Sequence, residues 1–132
     1  MNTTHSPSEL KENLRTTFGF DSFRPNQQAL VEGIIEHRDV FGIMPTGGGK
    51  SLCYQLPALM LDGCCLVVSP LIALMKDQVD AAVSAGIPAA YINSTLPQSQ
   101  VEENEQAYKQ GKLKLLYVAP ERLNTPQFLE FL

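Results

Sequence analysis

The stretch Met44-Pro45-Thr46-Gly47-Gly48-Gly49-Lys50-Ser51 decides the fold of this chain. It ends an apolar run, 40–44, that predicts a short buried strand, and it leads into a predicted helix that begins near Lys50. A glycine-rich loop between a strand and a helix lets successive backbone N–H groups point inward, and the helix N-terminus adds its positive end. The stretch therefore predicts a loop that binds phosphate groups.

Two side chains of this loop have predicted roles at a nucleoside triphosphate. Lys50 is expected to reach the β- and γ-phosphates, which makes it the candidate catalytic residue, and the Ser51 hydroxyl is the candidate Mg²⁺ ligand. The strict pattern has Gly where this chain has Met44, a position that helicase-type versions relax. Kinases, transporters, GTPases and motors share such loops, so the pattern predicts nucleotide binding but no particular reaction. The other residues predicted to contact the phosphates are Thr46, Gly47, Gly48 and Gly49.

Helices and apolar strands alternate on both sides of the loop. Strands are predicted at 66–69, 89–92 and 114–118, and helices at 7–18, from Pro25, from Lys50, at 71–85, at 98–110 and from Thr125. Pro57 is expected to kink or end the helix that begins at Lys50. Apolar strands alternating with helices are typical of a mostly parallel sheet with helices on both faces, so the predicted fold class is α/β. In such sheets the site lies at the C-terminal ends of the strands. Glycines expected to end three of the helices are Gly19, Gly86 and Gly111.

Composition excludes several classes of protein. The 132 residues are 44% apolar and 18% charged, which is typical of a globular chain, and the net charge of −4 excludes a histone-like binder that holds nucleic acid by bulk basicity. Three cysteines predict neither a disulfide framework nor a four-ligand zinc site. The N-terminal residues contain no apolar stretch, so no secretory signal is expected, and the longest apolar segment, 64–75, is too short to span a membrane. We therefore expect a cytoplasmic protein with no membrane partner.

Four blocks of the sequence resemble, in the same order, motifs of the RecQ family of ATP-dependent DNA helicases, which belong to superfamily 2. They are 14–20 with 23–28 (motif 0), 44–55 (MPTGGGKSLCYQ, motif I), 67–79 (motif Ia) and 116–123 (motif Ib). The resemblance implies a P-loop NTPase (RecA-like) fold, here the first lobe only and incomplete at the C-terminus. Residues 1–132 would then form a partial ATP-binding domain, with an N-terminal helix and adenine-recognition loop in 1–24.

The first of these blocks contains the candidate adenine contacts. Gln27 offers one donor and one acceptor, the pair needed to recognise the N6 and N7 atoms of adenine. The Arg24 guanidinium is suited to stack on the base, and Phe20 lies where the family has an aromatic side chain. Gln28 is the neighbouring alternative to Gln27, and the family spacing selects Gln27. A core position is the alternative for Phe20.

The later blocks contain the candidate DNA contacts. Ser69 and Pro70 lie between a strand and a helix whose first N–H groups suit a backbone phosphate, although Ser69 could instead cap that helix. Arg122 is a second candidate phosphate contact, and pairing with Glu121 or a neighbouring helix is the alternative. Asn93, in the loop 93–95, is a weaker candidate. For Lys76, DNA binding and a solvated position beside nearby aspartates remain open.

The resemblance implies an ATP-dependent 3′–5′ DNA helicase that uses ATP and Mg²⁺ and acts on single-stranded or partly duplex DNA, in DNA recombination and repair. A bacterial protein of this kind would associate with the nucleoid. The 132 residues contain no D-E-x-H block, so we expect the chain to need the second RecA-like lobe and to be inactive alone. The alternatives are a non-catalytic nucleotide- or DNA-binding remnant and an unrelated P-loop enzyme such as a small-molecule kinase, against which motifs 0, Ia and Ib argue.

Overall fold

The computed structural model describes residues 7–44 and 50–131 of the chain. It divides into two compact units, Met1–Asp62 and Gly63–Leu132. The prediction of one partial domain over 1–132 stays a prediction. Within the described ranges, no helix is both long enough and apolar enough to cross a membrane.

Three helices build the first unit. Helix α1 spans Pro7–Phe18, α2 spans Gln27–Ile35 and α3 spans Lys50–Met60, and α3 packs against both of the others. Burial of one apolar stripe from each helix fixes their relative positions. The core side chains are Leu10, Leu14, Val31, Ile35, Leu52 and Leu56.

The first two helices end in left-handed residues. Gly19 ends α1 as predicted, with a φ of 77° and its N–H donating to the Arg15 carbonyl at 3.0 Å. At the end of α2, His37 has a φ of 61°, a conformation that usually favours glycine. The His37 N–H donates to the Ile34 carbonyl and the Arg38 N–H to the Gly33 carbonyl, each at 2.9 Å, which is the Schellman pattern. This turn reverses the chain after α2.

Helix α3 does not end at Pro57. It continues to Met60, and the Leu61 N–H closes the next turn by donating to the Pro57 carbonyl at 2.9 Å. A proline removes its own N–H from the helix but leaves its carbonyl available, so the following turn can still form. Pro57 is also buried, and this packing favours the continued helix.

The segment 40–44, predicted as a buried strand, is not a strand in the structure. Phe41 and Ile43 are 88% and 84% exposed, whereas Val40 and Gly42 face α2. A strand needs a hydrogen-bonded neighbour and cover on both apolar faces. Among the described residues of the first unit none forms a strand, and the segment is covered by α2 on one side only.

A three-stranded parallel sheet forms the centre of the second unit, which confirms the predicted α/β class. Strand β1 spans Cys65–Val68, β2 spans Ala89–Ile92 and β3 spans Leu115–Val118, in the spatial order β1-β3-β2. Both neighbours pair parallel to β3, with Val68 and Ile92 opposite Val118. The central strand β3 is fully buried, as expected for a parallel strand covered on both faces.

The helices of the second unit cover both faces of this sheet. Helix α4 spans Ile72–Ser84, α5 spans Gln98–Lys109, a 3₁₀ helix spans Pro120–Asn124 and α6 spans Pro126–Phe131. Val101 of α5 and Phe128 of α6 pack with side chains on one face of the sheet. The connections through α4 and α5 run in opposite directions along the sheet, so right-handed crossovers place these helices on opposite faces. Gly86 and Gly111 end α4 and α5 with φ of 87° and 72°, as predicted.

Candidate functional site

A tight turn precedes α2 in the first unit. The Gln27 N–H donates to the Arg24 carbonyl at 3.1 Å, with Pro25 and Asn26 between them. Asn26 has φ 71° and ψ −10°, so this is a type II turn with proline at its preferred second position. Pro25 therefore lies in the turn before the helix, not in the first helical turn as the sequence predicted.

The buried side chain of Gln27 stabilises this turn. Its side chain is only 3% exposed, and its Oε1 atom accepts a hydrogen bond of 2.7 Å from the Arg24 backbone N–H. The side chain of Arg24 is exposed, as stacking on a ligand requires. The structure thus brings the two candidate adenine residues together, with Gln27 fixing the backbone that carries Arg24. Gln28 is half-buried on the adjacent position of the helix.

Phe20 lies on the surface. It follows the left-handed Gly19 that ends α1, and its side chain is 48% exposed. The core position considered as its alternative is therefore not observed. An exposed aromatic ring is available to stack on a ligand.

The chain between α2 and the phosphate loop runs antiparallel to α2. A Cβ atom on Gly33 would lie 2.5 Å from Cγ1 of Val40, and a Cβ atom on Gly42 would lie 2.7 Å from Cδ1 of Leu30. The two glycines therefore allow this close approach, and the contacts shift toward the N-terminus of α2 as the chain advances.

The phosphate loop itself lies largely outside the described residues. This applies to Thr46, Gly47, Gly48 and Gly49, whose predicted phosphate contacts stay predictions. Lys50 is the first residue of α3 and is exposed, and Ser51 is the second and is half-buried. Both side chains are therefore at the helix N-terminus, as the predicted roles require.

Met44 and Lys50, at the two ends of the loop, line one apolar cavity of about 210 Å³. Sγ of Cys53, one turn into α3, lies 3.7 Å from Sδ of Met44. This contact joins the start of the loop to the helix that follows it. Burial raises the pKa of the Cys53 thiol, which keeps it neutral in this contact.

In the second unit, the three loops that follow the strands lie at one edge of the sheet. Ser69 follows β1, Asn93 follows β2 and the 3₁₀ helix follows β3, and the parallel register places all three at the C-terminal ends. The Ser69 N–H donates to the Val118 carbonyl at 3.0 Å, which extends the pairing of β1 with β3. The loops predicted to carry the DNA contacts are therefore neighbours.

Ser69 stabilises the turn that precedes α4. Its Oγ atom accepts a hydrogen bond of 3.1 Å from the Leu71 N–H, and Pro70 between them is exposed. The hydroxyl thus satisfies a backbone donor before the helix. The N-cap residue of α4 is Leu71, which has no side-chain cap hydrogen bond, so the alternative of Ser69 as the helix cap is not observed. Its hydrogen atom is not used by that bond, so contact with a phosphate stays a prediction.

Arg122 is half-buried within the 3₁₀ helix. Its carbonyl accepts hydrogen bonds from both the backbone N–H and the hydroxyl of Thr125, at 3.2 and 2.8 Å. Among the described carboxylates, including that of Glu121, none forms an ion pair with its guanidinium. The alternative of a paired arginine is not what the structure shows.

Asn93, predicted as a DNA contact, is buried in the structure. Its side chain is 1% exposed, with Nδ2 3.4 Å from Sδ of Met75 and Oδ1 accepting hydrogen bonds from the backbone N–H (2.9 Å) and hydroxyl of Thr95. A side chain held in this way fixes the loop, and its predicted contact with DNA stays a prediction. The exposed residues of the loop are Ser94 and Thr95.

Lys76 forms an exposed ion pair on α4. Its Nζ atom lies 2.8 Å from Oδ2 of Asp80, one turn further on. This hydrogen bond raises the pKa of Lys76. Lys76 is therefore solvated beside an aspartate, which is one of the two alternatives that the sequence left open.

Comparison with known proteins agrees with the four sequence blocks. The family model described as DEAD/DEAH box helicase matches residues 24–130. The chain belongs to this family. It is 51% identical over 116 residues to the ATP-dependent DNA helicase RecQ of Bacillus subtilis, covering 87% of the chain and 20% of that relative. The resemblance to RecQ helicases and the P-loop NTPase fold are thereby confirmed.

Further DEAD/DEAH box relatives come from distant organisms. The RecQ helicase of Haemophilus influenzae is 44% identical over 119 residues, covering 90% of the chain and 19% of the relative. The ATP-dependent DNA helicase Q1 of Rattus norvegicus is 45% identical over 117 residues, covering 87% of the chain and 19% of the relative. The chain spans about a fifth of the length of these relatives.

The structure of this DEAD/DEAH box chain adds residues that the sequence did not single out. Gly33 and Val40 guide the segment that leads to the phosphate loop, and Cys53 contacts the first residue of that loop. A glycine inside an otherwise apolar helix, as at Gly33, was the available signal, because it often marks a close approach of another segment.

Proposed function

We propose that this chain supplies the ATP-binding site and part of the single-stranded DNA path of a RecQ-type, ATP-dependent 3′–5′ DNA helicase. The observation that carries this proposal is the antiparallel contact of 40–42 with α2. Along the described residues, the contacts move from Gly33 to Leu30, toward the end of α2 where the Arg24–Gln27 turn lies. A nucleotide needs just these two subsites, one for its phosphates and one for its base.

Each subsite of the nucleotide has chemistry suited to it. Lys50, exposed at the N-terminus of α3, would contact the β- and γ-phosphates and offset their charge. Arg24 and Phe20, both exposed, would stack on the adenine ring. Gln27 would present its amide to the edge of the base while fixing the turn.

Mg²⁺ supports phosphoryl transfer by neutralising charge on the β- and γ-phosphates. Ser51 fits it as a ligand, because its hydroxyl is an oxygen donor of the kind Mg²⁺ prefers and lies in the first turn of α3. The described residues contain no group of three or more His, Cys, Asp or Glu side chains placed to hold a metal. Phosphate oxygens and water would therefore complete the coordination.

The second unit would contact DNA through the loops at the C-terminal edge of its sheet. The free hydroxyl hydrogen of Ser69 and the guanidinium of Arg122 can donate to phosphate oxygens. Contacts of this type explain how a chain with a net charge of −4 binds a polyanion, because they use local donors. The second RecA-like lobe would complete the motor.

The nucleotide site is tested by titrating the chain with a fluorescent ATP analogue in Mg²⁺. Lys50→Ala is expected to weaken binding about tenfold or more, because a charged contact to phosphate is lost. Lys11→Ala, at an exposed position of α1, is the matched control and should bind as the unchanged chain does. Equal affinity of the Lys50→Ala variant and the control would overturn the proposal.

A non-catalytic nucleotide- or DNA-binding role is the second candidate. ATP hydrolysis with and without single-stranded DNA separates the two. For this chain alone we expect nucleotide binding without DNA-stimulated turnover. Joining the chain to the rest of a RecQ-type helicase, including its D-E-x-H block and its second lobe, should give DNA-stimulated turnover if the helicase proposal is correct and should not do so for a remnant.

A further inference from the structure

A basic cavity lies at the opposite edge of the sheet from the candidate DNA loops. It has a volume of about 450 Å³ and is formed where the three strands begin, next to Cys64, Pro88 and Lys114. Each strand is four residues long, so this edge is ~13 Å from the C-terminal edge. The cavity therefore lies apart from Ser69 and Arg122.

Three lysines surround this cavity, which we call the lysine pocket. They are Lys109, Lys112 and Lys114, and the described residues that line the pocket include no Asp or Glu. The chain has ten Lys and Arg residues against fourteen Asp and Glu. Three positive charges around one cavity are thus a strong local departure from an acidic average, and they would attract a negatively charged ligand.

Backbone hydrogen bonds fix the main chain of Lys112 and Lys114 beside the cavity. Helix α5 ends in a Schellman pattern in which the Lys112 N–H donates to the Ala107 carbonyl at 3.0 Å. The Lys114 N–H donates to the Pro88 carbonyl and its carbonyl accepts from the Cys65 N–H, both at 2.8 Å. The main-chain positions from which these side chains extend are therefore fixed beside the cavity, and the flexible lysine side chains can adjust to a ligand.

The floor of the pocket is apolar. Cys64, Tyr108 and Leu113 line it and also pack against the core of the second unit. An apolar floor with a cationic rim fits a ligand that carries an apolar side chain next to carboxylates. A nucleic acid backbone binds best to cations arranged in a row along a groove, and three lysines around one cavity do not form such a row.

We propose that the lysine pocket binds an acidic segment of a partner protein, with an apolar side chain on Leu113 and Tyr108 and carboxylates at the three lysines. This inference is independent of the proposed helicase function, because none of its residues belongs to the nucleotide or DNA sites. It requires only charge and shape complementarity in the second unit.

The probe is a fluorescein-labelled octapeptide in which acidic residues flank a central pair of leucines, titrated with the 132-residue chain. We expect saturable binding that weakens about tenfold when Lys109, Lys112 and Lys114 are all changed to Gln, because three charge contacts are lost. The triple Lys→Arg variant should retain binding. A peptide with Asn and Gln in place of its acidic residues should not bind.

The matched control removes the same charge elsewhere. Lys11→Gln, Arg15→Gln and Arg38→Gln together lower the net charge equally at exposed positions of the first unit. This variant should bind the peptide as the unchanged chain does, and circular dichroism should show that both triple variants are folded. Equal weakening in the two triple variants would show a general charge effect and overturn the proposal.

Three other results would also overturn it. One is the lack of saturable binding of the acidic peptide. Another is a labelled oligothymidylate that competes with the peptide and loses affinity in the Lys→Gln variant, which would assign the pocket to nucleic acid. The last is concentration-dependent self-association that the same variant abolishes, which would assign it to a second copy of the chain.

Discussion

Gln27 and Arg24 are joined by two hydrogen bonds in opposite directions. The Arg24 backbone N–H donates to Oε1 of Gln27 at 2.7 Å, and the Gln27 N–H donates to the Arg24 carbonyl at 3.1 Å. One residue therefore has two roles, since the amide proposed to recognise adenine also fixes the turn that presents Arg24. The proposed recognition of adenine would therefore be coupled to local stability at this position.

Changing Gln27 to Ala should affect both roles. We expect the free energy of unfolding to fall by about 1–2 kcal/mol, because the Arg24 N–H loses its side-chain acceptor. The preference for ATP over GTP, measured by competition with a fluorescent analogue, should disappear. Gln28→Ala is the control and should keep the preference. A Gln27→Ala chain that still prefers ATP would restrict Gln27 to a structural role.

A double-variant cycle tests the contact between Gly33 and Val40. Gly33→Ala should lower the free energy of unfolding by about 1–3 kcal/mol, because a Cβ atom would overlap the stiff Val40 side chain. In a Val40→Ala background the same change should be neutral or stabilising by ~0.5–1 kcal/mol, since Ala favours helix over Gly. Chemical denaturation of the four proteins measures the cycle, and additive effects would contradict the contact.

Asn93 and Ser94 are neighbours with different expected effects. Asn93→Ala should destabilise the chain by about 1–3 kcal/mol, because the Thr95 N–H and hydroxyl lose a buried acceptor. Ser94→Ala, at an exposed position, should change stability by less than ~0.5 kcal/mol. Thermal melts of both variants make the comparison. Similar melting temperatures would argue against the fixed loop.

The salt dependence of DNA binding tests Arg122. If its guanidinium contacts one phosphate, Arg122→Gln should weaken binding to oligothymidylate and reduce the slope of log affinity against log salt by ~0.7. Arg15→Gln, at an exposed position on α1, removes the same charge and should leave the slope unchanged. A slope unaffected by Arg122→Gln would remove this residue from the DNA path.

The cysteines predict how stability depends on pH in the alkaline range. Burial, with a contribution from Cys65, raises the pKa of the Cys64 thiol from 9.0 to about 11. Between these values the unfolded chain has lost the proton and the folded chain retains it, so stability should fall as pH rises from 9 to 11. Denaturation across this range measures the slope, which Cys64→Ala should reduce. If Cys64→Ala left this slope unchanged, the raised pKa of Cys64 in the folded chain would be contradicted.

Much of the fold could be predicted because local signals agreed with each other. The strands near 66–69, 89–92 and 114–118 are apolar runs between helices, and Gly86 and Gly111 marked the helix ends. The segment 40–44 has the same apolar composition but different surroundings. Its exposed Phe41 and Ile43 show that composition predicts what a segment can bury and not whether a neighbour covers it.

The sequence predicted which loops and turns carry the candidate residues, but not the hydrogen bonds and burial of those residues. The family spacing selected Arg24 and Gln27, which the structure joins in one turn, and their role at adenine stays a prediction. Their hydrogen bonds could not be deduced because they depend on a left-handed Asn26. Asn93 lies in the predicted loop but is buried. A polar residue after a strand usually indicates surface, yet the Thr two positions later was a signal of an Asx turn that fixes its own loop.

The order of the strands determines when the second unit can fold. Strand β3 is central in the sheet and follows β1 and β2 along the chain, so these two strands lack their hydrogen-bonded neighbour until Leu115–Val118 has left the ribosome. Helices α4 and α5 depend on local contacts and can form earlier. The second unit is therefore expected to fold in one late, cooperative step during synthesis.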